Sequence, residues 1–268
     1  MSTKSPSYWF FIRGLMREAA HWEDFPKTFE SAFPGTKVVL IDLPGNGQHW
    51  NSKSPLTVSE MANSIRLEVR RHLEPETRKL GKNPKCFVLA ISLGGMVALE
   101  WLQRFPEEVS GGVFINISLS GVNPFYQRLK PKAWMPLLDI AFTRDIKNRE
   151  RKVLDLTTSH FPAKESSLLK RVEAYQKHPS TKLNFVRQLI AASRFRPKLT
   201  QIKPPVLLLN SLGDRLVDSD CSSVIQTRWN LELKTHPTAN HDLPLEDPQW
   251  VISQVREWLN SHRLSASA

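Results

Sequence analysis

The chain has 268 residues, of which 40% are hydrophobic and 24% are charged, a composition typical of a folded protein with a sizeable core. No stretch reaches the roughly 20 apolar residues that a membrane-spanning helix needs, and the early apolar run at residues 8–12 is too short for a secretory signal. Two cysteines, Cys86 and Cys221, are too few for a disulfide framework. We therefore expect a cytoplasmic protein without a membrane span.

Positive charge is concentrated in one part of the chain. The net charge is +11, from 37 lysine and arginine residues and 26 aspartate and glutamate residues. Residues 122–203 contain 18 of the basic residues and 6 of the acidic ones, whereas the rest of the chain has 19 and 20. This asymmetry predicts one basic surface. Because no recognisable nucleic-acid motif accompanies it, we expect no nucleic-acid partner.

Short apolar segments alternate with helical patterns along much of the chain. Five of these segments carry hydrophobic residues on both faces, which is typical of strands buried in a parallel sheet. A sixth segment, at residues 231–235, is weaker. The five clear segments lie at residues 8–12, 37–41, 85–91, 112–117 and 205–209. We expect an α/β fold, with a mostly parallel sheet covered by helices on both faces.

Two of the helical patterns have recognisable first turns. Thr57 and Glu60 form a capping-box pattern, and apolar residues follow near helical spacing over residues 61–73. Asp247 followed by Pro248 is a typical N-cap and first residue for the last helix. These signals predict where both helices begin.

The alternation stops between residues 121 and 203. This segment has no clear strand, is rich in basic residues and contains repeated prolines. We interpret it as an inserted helical cap, with residues 1–120 and 204–268 forming the two parts of the α/β core. Its aromatic side chains could form an apolar pocket, or they could pack the cap helices together. They are Phe125, Tyr126, Trp134, Phe142 and Phe161. Of these, Phe125 and Trp134 are our candidate substrate-binding residues.

A candidate nucleophile follows the third predicted strand. Ser92 lies in the segment Ala-Ile-Ser-Leu-Gly at residues 90–94, directly between that strand and a helical pattern. On a sharp strand-to-helix turn, small residues at positions 90 and 94 allow close packing, and the serine hydroxyl projects out of the sheet. The backbone N–H of Leu93 would then stand at the start of a helix, where donors lack partners. The alternative is a strand–helix turn with an incidental serine.

A nucleophilic serine needs a general base, and that base needs an orienting acid. His241 lies in a polar loop between the last strand and the last helix, and His236 is the rival base. Asp214 follows the fifth clear strand, with Asp218 as the fallback acid. Serine, then acid, then histidine, each just beyond a strand, is the chain order of an α/β-hydrolase triad. In parallel sheets such strand ends line the ligand crevice.

At this point the chain resembles the α/β-hydrolase superfamily, especially capped carboxylesterases such as the pimeloyl-carrier-protein methyl ester esterases. The similarity covers residues 8–262 and is thin in the predicted cap. Besides the nucleophile segment, the matching motifs are Asp-Leu-Pro-Gly-Asn-Gly at 42–47, Phe-Pro at 105–106, Gly-Asp at 213–214, Asn-His at 240–241 and Glu-Asp-Pro at 246–248. The resemblance implies that the backbone N–H groups of Leu15 and Leu93 form an oxyanion hole. It implies neither a metal nor an organic cofactor.

Two positions depart from the family pattern. Arg13 stands where the family has histidine before glycine, and Ala90 replaces the first glycine of the nucleophile turn. Since the oxyanion donor is a backbone amide, catalysis should survive the first change. Arg13 would place a cation near the site entrance, where it could bind substrate or pair with Asp42 or another local carboxylate. Asn116, at the end of the fourth strand, could line the pocket floor or serve a structural role.

The expected function is hydrolysis of a carboxylic ester or thioester through an acyl-enzyme. The basic segment suggests a small-molecule substrate with an anionic handle, such as an acyl group carried by coenzyme A or by a carrier protein. The alternative is a receptor-like protein of the same fold that binds a ligand with slow or vestigial hydrolysis, because fold and triad alone do not fix function.

Overall fold

In the computed structural model, which describes residues 6–159, 164–262 and 264, the apolar segments form six strands. They are β1 Ser7–Ile12, β2 Thr36–Ile41, β3 Cys86–Ile91, β4 Gly111–Ile115, β5 Val206–Ser211 and β6 Glu232–His236. The strands make one sheet in the order β2-β1-β3-β4-β5-β6, and every neighbouring pair is parallel. The predicted parallel sheet is therefore confirmed, including its weaker sixth strand.

Two strand ends lie two residues away from the predicted ones. The fourth strand ends at Ile115, two residues earlier than expected, because Asn116 has a φ of 48° and leaves the extended region. The Asn116 N–H nevertheless still donates to the carbonyl of Leu209 at 2.9 Å. The fifth strand continues to Ser211, two residues further than expected. The chain thus turns just beyond β4, which brings the Asn116 side chain to the carboxyl edge of the sheet.

Helices cover both faces of the sheet. The helices are α1 Phe25–Ala32, α2 Val58–Leu80, α3 Leu93–Arg104, α4 Phe125–Arg128, α5 Pro131–Phe142, α6 Ile146–Thr157, α7 Lys164–Lys177, α8 Lys182–Arg194, α9 Asp220–Trp229, α10 Leu243–Glu246 and α11 Pro248–Ser261. Buried apolar residues of α2, α3 and α9 form one core layer, and those of α1 and α11 form a second layer on the opposite face. This is the two-faced α/β arrangement expected from the alternating sequence pattern.

The two predicted helix starts are confirmed by their caps. The Thr57 hydroxyl accepts from the Glu60 N–H at 3.2 Å and donates to the Glu60 carboxylate at 2.6 Å. The Asp247 carboxylate accepts from the Trp250 N–H at 2.9 Å. Each cap satisfies a backbone donor that the helix itself leaves unpaired, which is worth about 1 kcal/mol.

Aromatic packing fixes the position of β1. Phe29 lies edge-on to Trp9 and Phe11, with ring centroids 4.9 and 5.1 Å away, and all three side chains are buried. Such aromatic pairs add about 0.5–1.5 kcal/mol each beyond the burial of their area. The strand that leads into the loop at residues 13–17 is therefore held firmly in the sheet.

The segment between β4 and β5 contains helices α4 to α8, and no strand is assigned within its described residues. Its helices contact loops that follow four different strands. Hydrogen bonds join Gln188 to Met16 and Asn46, Lys130 to Leu216, and Thr157 to Asp242. These helices therefore cover the carboxyl edge of the sheet, as a cap would, although the division at residues 121 and 203 stays a prediction.

Two composition-based expectations can be compared with the structure. Cys86 and Cys221 are both buried and free. Burial raises the pKa of the Cys86 thiol, and it raises that of Cys221 to about 12. None of the helices in the described part of the chain is long and apolar enough to cross a membrane.

Candidate active site

Ser92 occupies a strained turn between β3 and α3. Its φ of 56° and ψ of −122° lie in a region that non-glycine residues rarely adopt, at a cost of about 1–3 kcal/mol. The turn is held by the Ser92 N–H, which donates to the carbonyl of Ile115 at 2.9 Å. A Cβ atom on Gly94 would lie 2.6 Å from the carbonyl oxygens of Ile12 and Arg13. The small residue two positions after the serine is therefore required for close packing, as predicted.

The loop after β1 packs against this serine. A Cβ atom on Gly14 would lie 3.0 Å from the Cβ of Ser92 and 3.5 Å from its hydroxyl oxygen. The backbone N–H groups of Leu15 and Leu93 have no hydrogen-bond partner among the described residues. Leu93 is the first residue of α3, where helix geometry leaves the N–H unpaired. Leu93 thus offers a free donor directly after the serine, and Leu15 offers one directly after the glycine that packs against it.

His241 and Asp214 meet directly. The His241 Nδ1 lies 2.7 Å from the Asp214 Oδ2, and both side chains are buried. The second carboxylate oxygen of Asp214 accepts from the N–H groups of Leu216 and Val217 at 2.7 and 3.0 Å. Because Nδ1 faces a carboxylate, we assign the imidazole proton to Nδ1, which leaves Nε2 free to accept a proton.

Two asparagines hold the loop that carries His241. The Asn240 side-chain oxygen accepts from the N–H groups of His241 and Arg215, at 2.8 and 2.9 Å, so it joins the histidine loop to the aspartate loop. The Asn116 side-chain amide donates to the carbonyl of His241 at 2.9 Å. Asn116 therefore reaches the site as a buried support for the histidine, and its predicted contact with substrate stays a prediction.

The rival candidates are engaged elsewhere. The Nδ1 atom of His236 accepts from the Ala239 N–H at 2.8 Å, and its Nε2 lies 3.3 Å from the Asp247 carboxylate. The carboxylate of Asp218 accepts from the N–H of Asp220 at 3.1 Å. The geometry thus brings together His241 and Asp214 rather than the alternatives.

Arg13 is buried and paired, although with Asp242 rather than with Asp42. Its two terminal nitrogens donate to the two carboxylate oxygens of Asp242 at 2.9 and 2.6 Å, and its guanidinium lies 4.8 Å from the centre of the Trp22 ring. Arg171, from α7, donates to the same carboxylate at 3.4 Å. With its charge neutralised in this way, the arginine serves the loop next to His241. Its predicted role in substrate binding stays a prediction.

Burial and opposite charge act against each other in this network. Burial disfavours ionised Asp242, but the charges of Arg13 and Arg171 outweigh that effect and hold the pKa of the carboxyl below its ordinary value. Burial also lowers the pKa of the Arg171 guanidinium to about 10. The sequence offered no signal for either residue, since Arg171 is one of 18 basic residues in its segment and Asp242 simply follows a histidine.

The two aromatic candidates lie on the protein surface. Phe125 and Trp134 are exposed and stack on each other with ring centroids 6.4 Å apart, while Phe161 lies outside the described residues. Neither Phe125 nor Trp134 lines the cavity of about 590 Å³ beside Asp214. That cavity is lined by Lys130, Lys132, Pro136, Asp139, Ile140, Lys152, Asp155, Leu156, Asp214 and Arg215. The role of the two rings in substrate binding stays a prediction.

The cavity wall reaches the aspartate loop and carries four basic and three acidic side chains. The Lys130 ammonium donates to the backbone carbonyl of Asp214 at 2.8 Å. Lys152 is paired with Asp139 at 2.8 Å. No cluster of three His, Cys, Asp or Glu side chains suited to a metal ion occurs in the part of the chain that the structure describes.

Known proteins share this fold. The family model described as alpha/beta hydrolase fold matches residues 10–248. A pimeloyl-[acyl-carrier protein] methyl ester esterase of Xylella fastidiosa strain M23 is 23% identical over 237 residues, which is 83% of this chain and 84% of that esterase. The predicted resemblance to the α/β-hydrolases is thus confirmed.

Solved structures are similar over nearly the whole chain. A membrane phospholipase A described as a bacterial virulence factor has a TM-score of 0.73 at 20% identity, covering 98% of this chain and 81% of the other. A lipase-esterase related protein from Clostridium acetobutylicum has a TM-score of 0.71 at 18% identity, covering 95% of both chains. At these identities the solved structures establish the fold. Because the family model spans most of the sequence, the chain belongs to the alpha/beta hydrolase fold family.

Proposed function

We propose that the protein is a serine hydrolase that cleaves carboxylic esters or thioesters through an acyl-enzyme. The observation that carries this proposal is the 2.7 Å hydrogen bond between Asp214 and the Nδ1 of His241. It leaves Nε2 as the basic nitrogen of a histidine that follows β6, at the same sheet edge as the strained turn of Ser92. The membership in the alpha/beta hydrolase family supports the same reaction class.

The reaction proceeds in two halves. The hydroxyl oxygen of Ser92 attacks the substrate carbonyl while Nε2 of His241 takes the hydroxyl proton, and Asp214 stabilises the resulting imidazolium. His241 then gives that proton to the leaving alcohol or thiol. A water molecule, deprotonated by His241, attacks the acyl-enzyme, and the returned proton releases Ser92 and the carboxylic acid.

The backbone N–H groups of Leu15 and Leu93 stabilise the oxyanion in both halves. Two observations support this role. Neither donor has a partner within the described residues, and the loop after β1 packs against Ser92 at Gly14. Donors aimed at the developing charge need no reorganisation, and each is typically worth a factor of about 10²–10³ in rate. No metal or organic cofactor enters this mechanism.

The substrate carries an anionic handle, as an acyl group on a carrier would. This part of the proposal is supported by the positive excess of residues 122–203, from which Lys130, Lys132 and Lys152 reach the cavity wall. A relative is named as an esterase of an acyl-carrier-protein methyl ester, and the same substrate class is proposed here. Residues 121–203 act as the cap that supplies this wall, and the protein works in the cytoplasm.

The first experiment is labelling with a fluorophosphonate, together with hydrolysis of short p-nitrophenyl esters. We expect the wild type to label and turn over, and Ser92→Ala to lose both. Ser64→Ala, at a partly exposed serine on α2, is the matched control and should behave as wild type. A folded wild type that does not label would contradict the proposal and would favour a receptor-like protein that binds a ligand without turnover.

A second experiment addresses the handle. The ratio of kcat/KM for a carrier-linked ester to that for the free ester is measured at increasing salt. We expect the carrier-linked ester to be preferred at low salt. The preference should shrink as salt screens the lysine side chains of the cavity wall. No preference at any salt concentration would remove the anionic handle from the proposal and leave the hydrolase in place.

A further inference from the structure

Helix α5 is an apolar helix that remains largely in solvent. Of its residues only Ala133 is buried, whereas Met135 is 73% exposed and Phe142 is 76% exposed. Apolar helices of globular proteins normally cover their hydrophobic surface with another part of the chain. Within the described residues α5 leaves that surface uncovered, as a surface that meets a partner would be.

The exposed side chains form one continuous surface. Trp134, Leu138 and Phe142 are spaced by four residues and therefore lie along the same side of α5. The ring of Phe125, on α4, stacks on Trp134 and extends this side onto the neighbouring helix. We call this surface the aromatic face. Its members are Phe125, Tyr126, Trp134, Met135, Leu138 and Phe142.

The aromatic face is larger than ordinary scattered surface hydrophobics. Six large side chains, each about half exposed or more, present roughly 700 Å² of mostly apolar area when each contributes around 200 Å² at full exposure. The largest apolar patch on a typical monomer is roughly 300–600 Å², and larger ones mark interaction sites.

Positive charge borders the aromatic face at both ends of α5. Lys132 lies in the first turn and Arg144 lies just beyond the last, and both are exposed. Neither makes an ion pair with the carboxylates that the structure describes, whereas Asp139, on α5 itself, is paired with Lys152 at 2.8 Å. Asp145, next to Arg144, also has no ion pair among the described residues, and its carboxylate caps α6 by accepting from the Asn148 N–H at 2.7 Å. Two unpaired cations and one unpaired carboxylate therefore lie beside the apolar side chains, which leaves a net positive charge there.

We propose that the aromatic face docks on the surface of an anionic lipid bilayer. Tryptophan, tyrosine and phenylalanine are favoured at the boundary between lipid headgroups and acyl chains, and lysine and arginine beside them attract anionic headgroups. A second copy of the chain fits less well, because two facing copies would bring the Lys132 and Arg144 side chains of one copy near those of the other. The chain then binds peripherally, through side chains that enter the headgroup region.

This docking is independent of ester hydrolysis, but it would orient the candidate site. Pro136, Asp139 and Ile140 of α5 line the cavity beside Asp214, while the aromatic face lies on the same helix. A bilayer contact through α5 therefore places the cavity close to the membrane surface. Lipid binding by Ser92→Ala should equal that of the wild type. The docking proposal can therefore be tested whether or not the protein hydrolyses esters.

The test is flotation of the full chain with vesicles of phosphatidylcholine alone or of phosphatidylcholine and phosphatidylglycerol in equal amounts. We expect binding to the mixed vesicles and weak binding to the neutral ones. The double variant Met135→Ser, Phe142→Ser should bind the mixed vesicles about tenfold more weakly or worse. Its matched control is Leu67→Ser, Val224→Ser, which removes exposed apolar side chains from α2 and α9.

Charge is tested with a second matched pair. Lys132→Glu, Arg144→Glu should abolish the preference for phosphatidylglycerol, whereas Lys27→Glu, Lys82→Glu makes the same net change at exposed positions away from α5 and should keep it. Circular dichroism establishes that each variant is folded.

Three outcomes would overturn the docking proposal. The first is a folded wild type that binds neither vesicle at low salt, and the second is a Met135→Ser, Phe142→Ser variant that binds as tightly as its control. The third is a wild-type dimer in light scattering that the same variant converts to a monomer, since the aromatic face would then be an interface between copies.

Discussion

Removing the negative charge of the buried Asp242 carboxylate should lower the free energy of unfolding strongly. The carboxylate faces Arg13 at 2.9 and 2.6 Å and Arg171 at 3.4 Å, and all three side chains are almost completely buried. The substitution Asp242→Asn keeps the size of the side chain but removes the negative charge. Its amide group would then turn an N–H towards one of two guanidinium groups that it cannot neutralise.

The expected cost is about 3–5 kcal/mol, the range for breaking a buried ion pair by removing one partner. The Nε of Arg13 already lacks a partner among the described residues, so this guanidinium depends on Asp242 for its charge compensation. Since a domain is typically stable by about 5–15 kcal/mol, the loss would be a large fraction of the total. With an m value of about 2–3 kcal/mol/M, the urea midpoint should fall by roughly 1–2 M.

The assay is urea unfolding at neutral pH, followed by circular dichroism, with Glu74→Gln as the matched control. Glu74 and Arg78 are as close as the buried pair, at 2.5 Å, but both side chains are exposed. Exposed helical pairs contribute about 0.3–0.5 kcal/mol, so the control should barely move the midpoint. A loss below about 1 kcal/mol for Asp242→Asn would refute the argument, because it would mean that water reaches the two guanidinium groups.

The pH dependence of the same difference has a definite sign. The pKa of Asp242 is held below its ordinary value of 3.8 in the folded protein. The unfolded chain therefore binds the proton first as the pH falls, and the stabilisation from the ionised carboxylate, complete above pH 3.8, is lost in more acidic solution. The difference between wild type and Asp242→Asn should accordingly shrink at acidic pH.

Three further substitutions give results that are easily distinguished. Asp214→Asn should lower kcat by about four orders of magnitude with little change in KM, because His241 would lose the acceptor that fixes its tautomer; a loss below tenfold would contradict the proposed triad. Gly94→Ala should destabilise the protein by about 1–3 kcal/mol in urea, since its Cβ would lie 2.6 Å from two backbone carbonyl oxygens; an unchanged midpoint would mean that the turn relaxes. Burial, with the nearby arginines, holds the pKa of His21 well below 6.5, so the unfolded chain binds more protons below that pH and stability falls as the solution is acidified. The free energy of unfolding of His21→Gln should therefore fall less than that of the wild type between neutral and acidic pH. Equal falls in both proteins would contradict this role of His21.

The sheet could be predicted because four of its six strands, β1, β3, β4 and β5, are buried on both faces. Short continuous apolar runs such as residues 8–12 are typical of buried strands. Their alternation with helices indicated a parallel sheet, which the structure has. The strand ends were less predictable. The early end of β4 coincides with the positive φ of Asn116, whose side chain donates to the distant loop of His241. No local pattern contains that contact.

The candidate triad could be anticipated because chain order and strand ends limit the choices. The hydrogen bond between His241 and Asp214 was expected from their positions after neighbouring strands, whereas their catalytic roles stay predictions. The supporting contacts could not be anticipated in the same way. Asp242 is held by residues 229 and 71 positions away in the chain, and such long-range pairs leave no spacing signal in one sequence.

Burial decides what the positive charge of residues 122–203 does, and composition cannot reveal burial. Arg171 is fully enclosed, so its charge must be matched at short range and it ties α7 to the loop of His241. Lys132, only one helix turn from the aromatic face, stays exposed and unpaired among the described residues, so its charge acts outward on whatever approaches. The ion pair of a buried cation such as Arg171 is hardly screened by salt, because water and ions do not enter between the charges. The attraction between an exposed cation such as Lys132 and a distant anion is screened beyond a Debye length of about 10 Å. A salt titration therefore separates them: vesicle binding should weaken as salt rises, while the stability lost in Asp242→Asn should stay nearly constant.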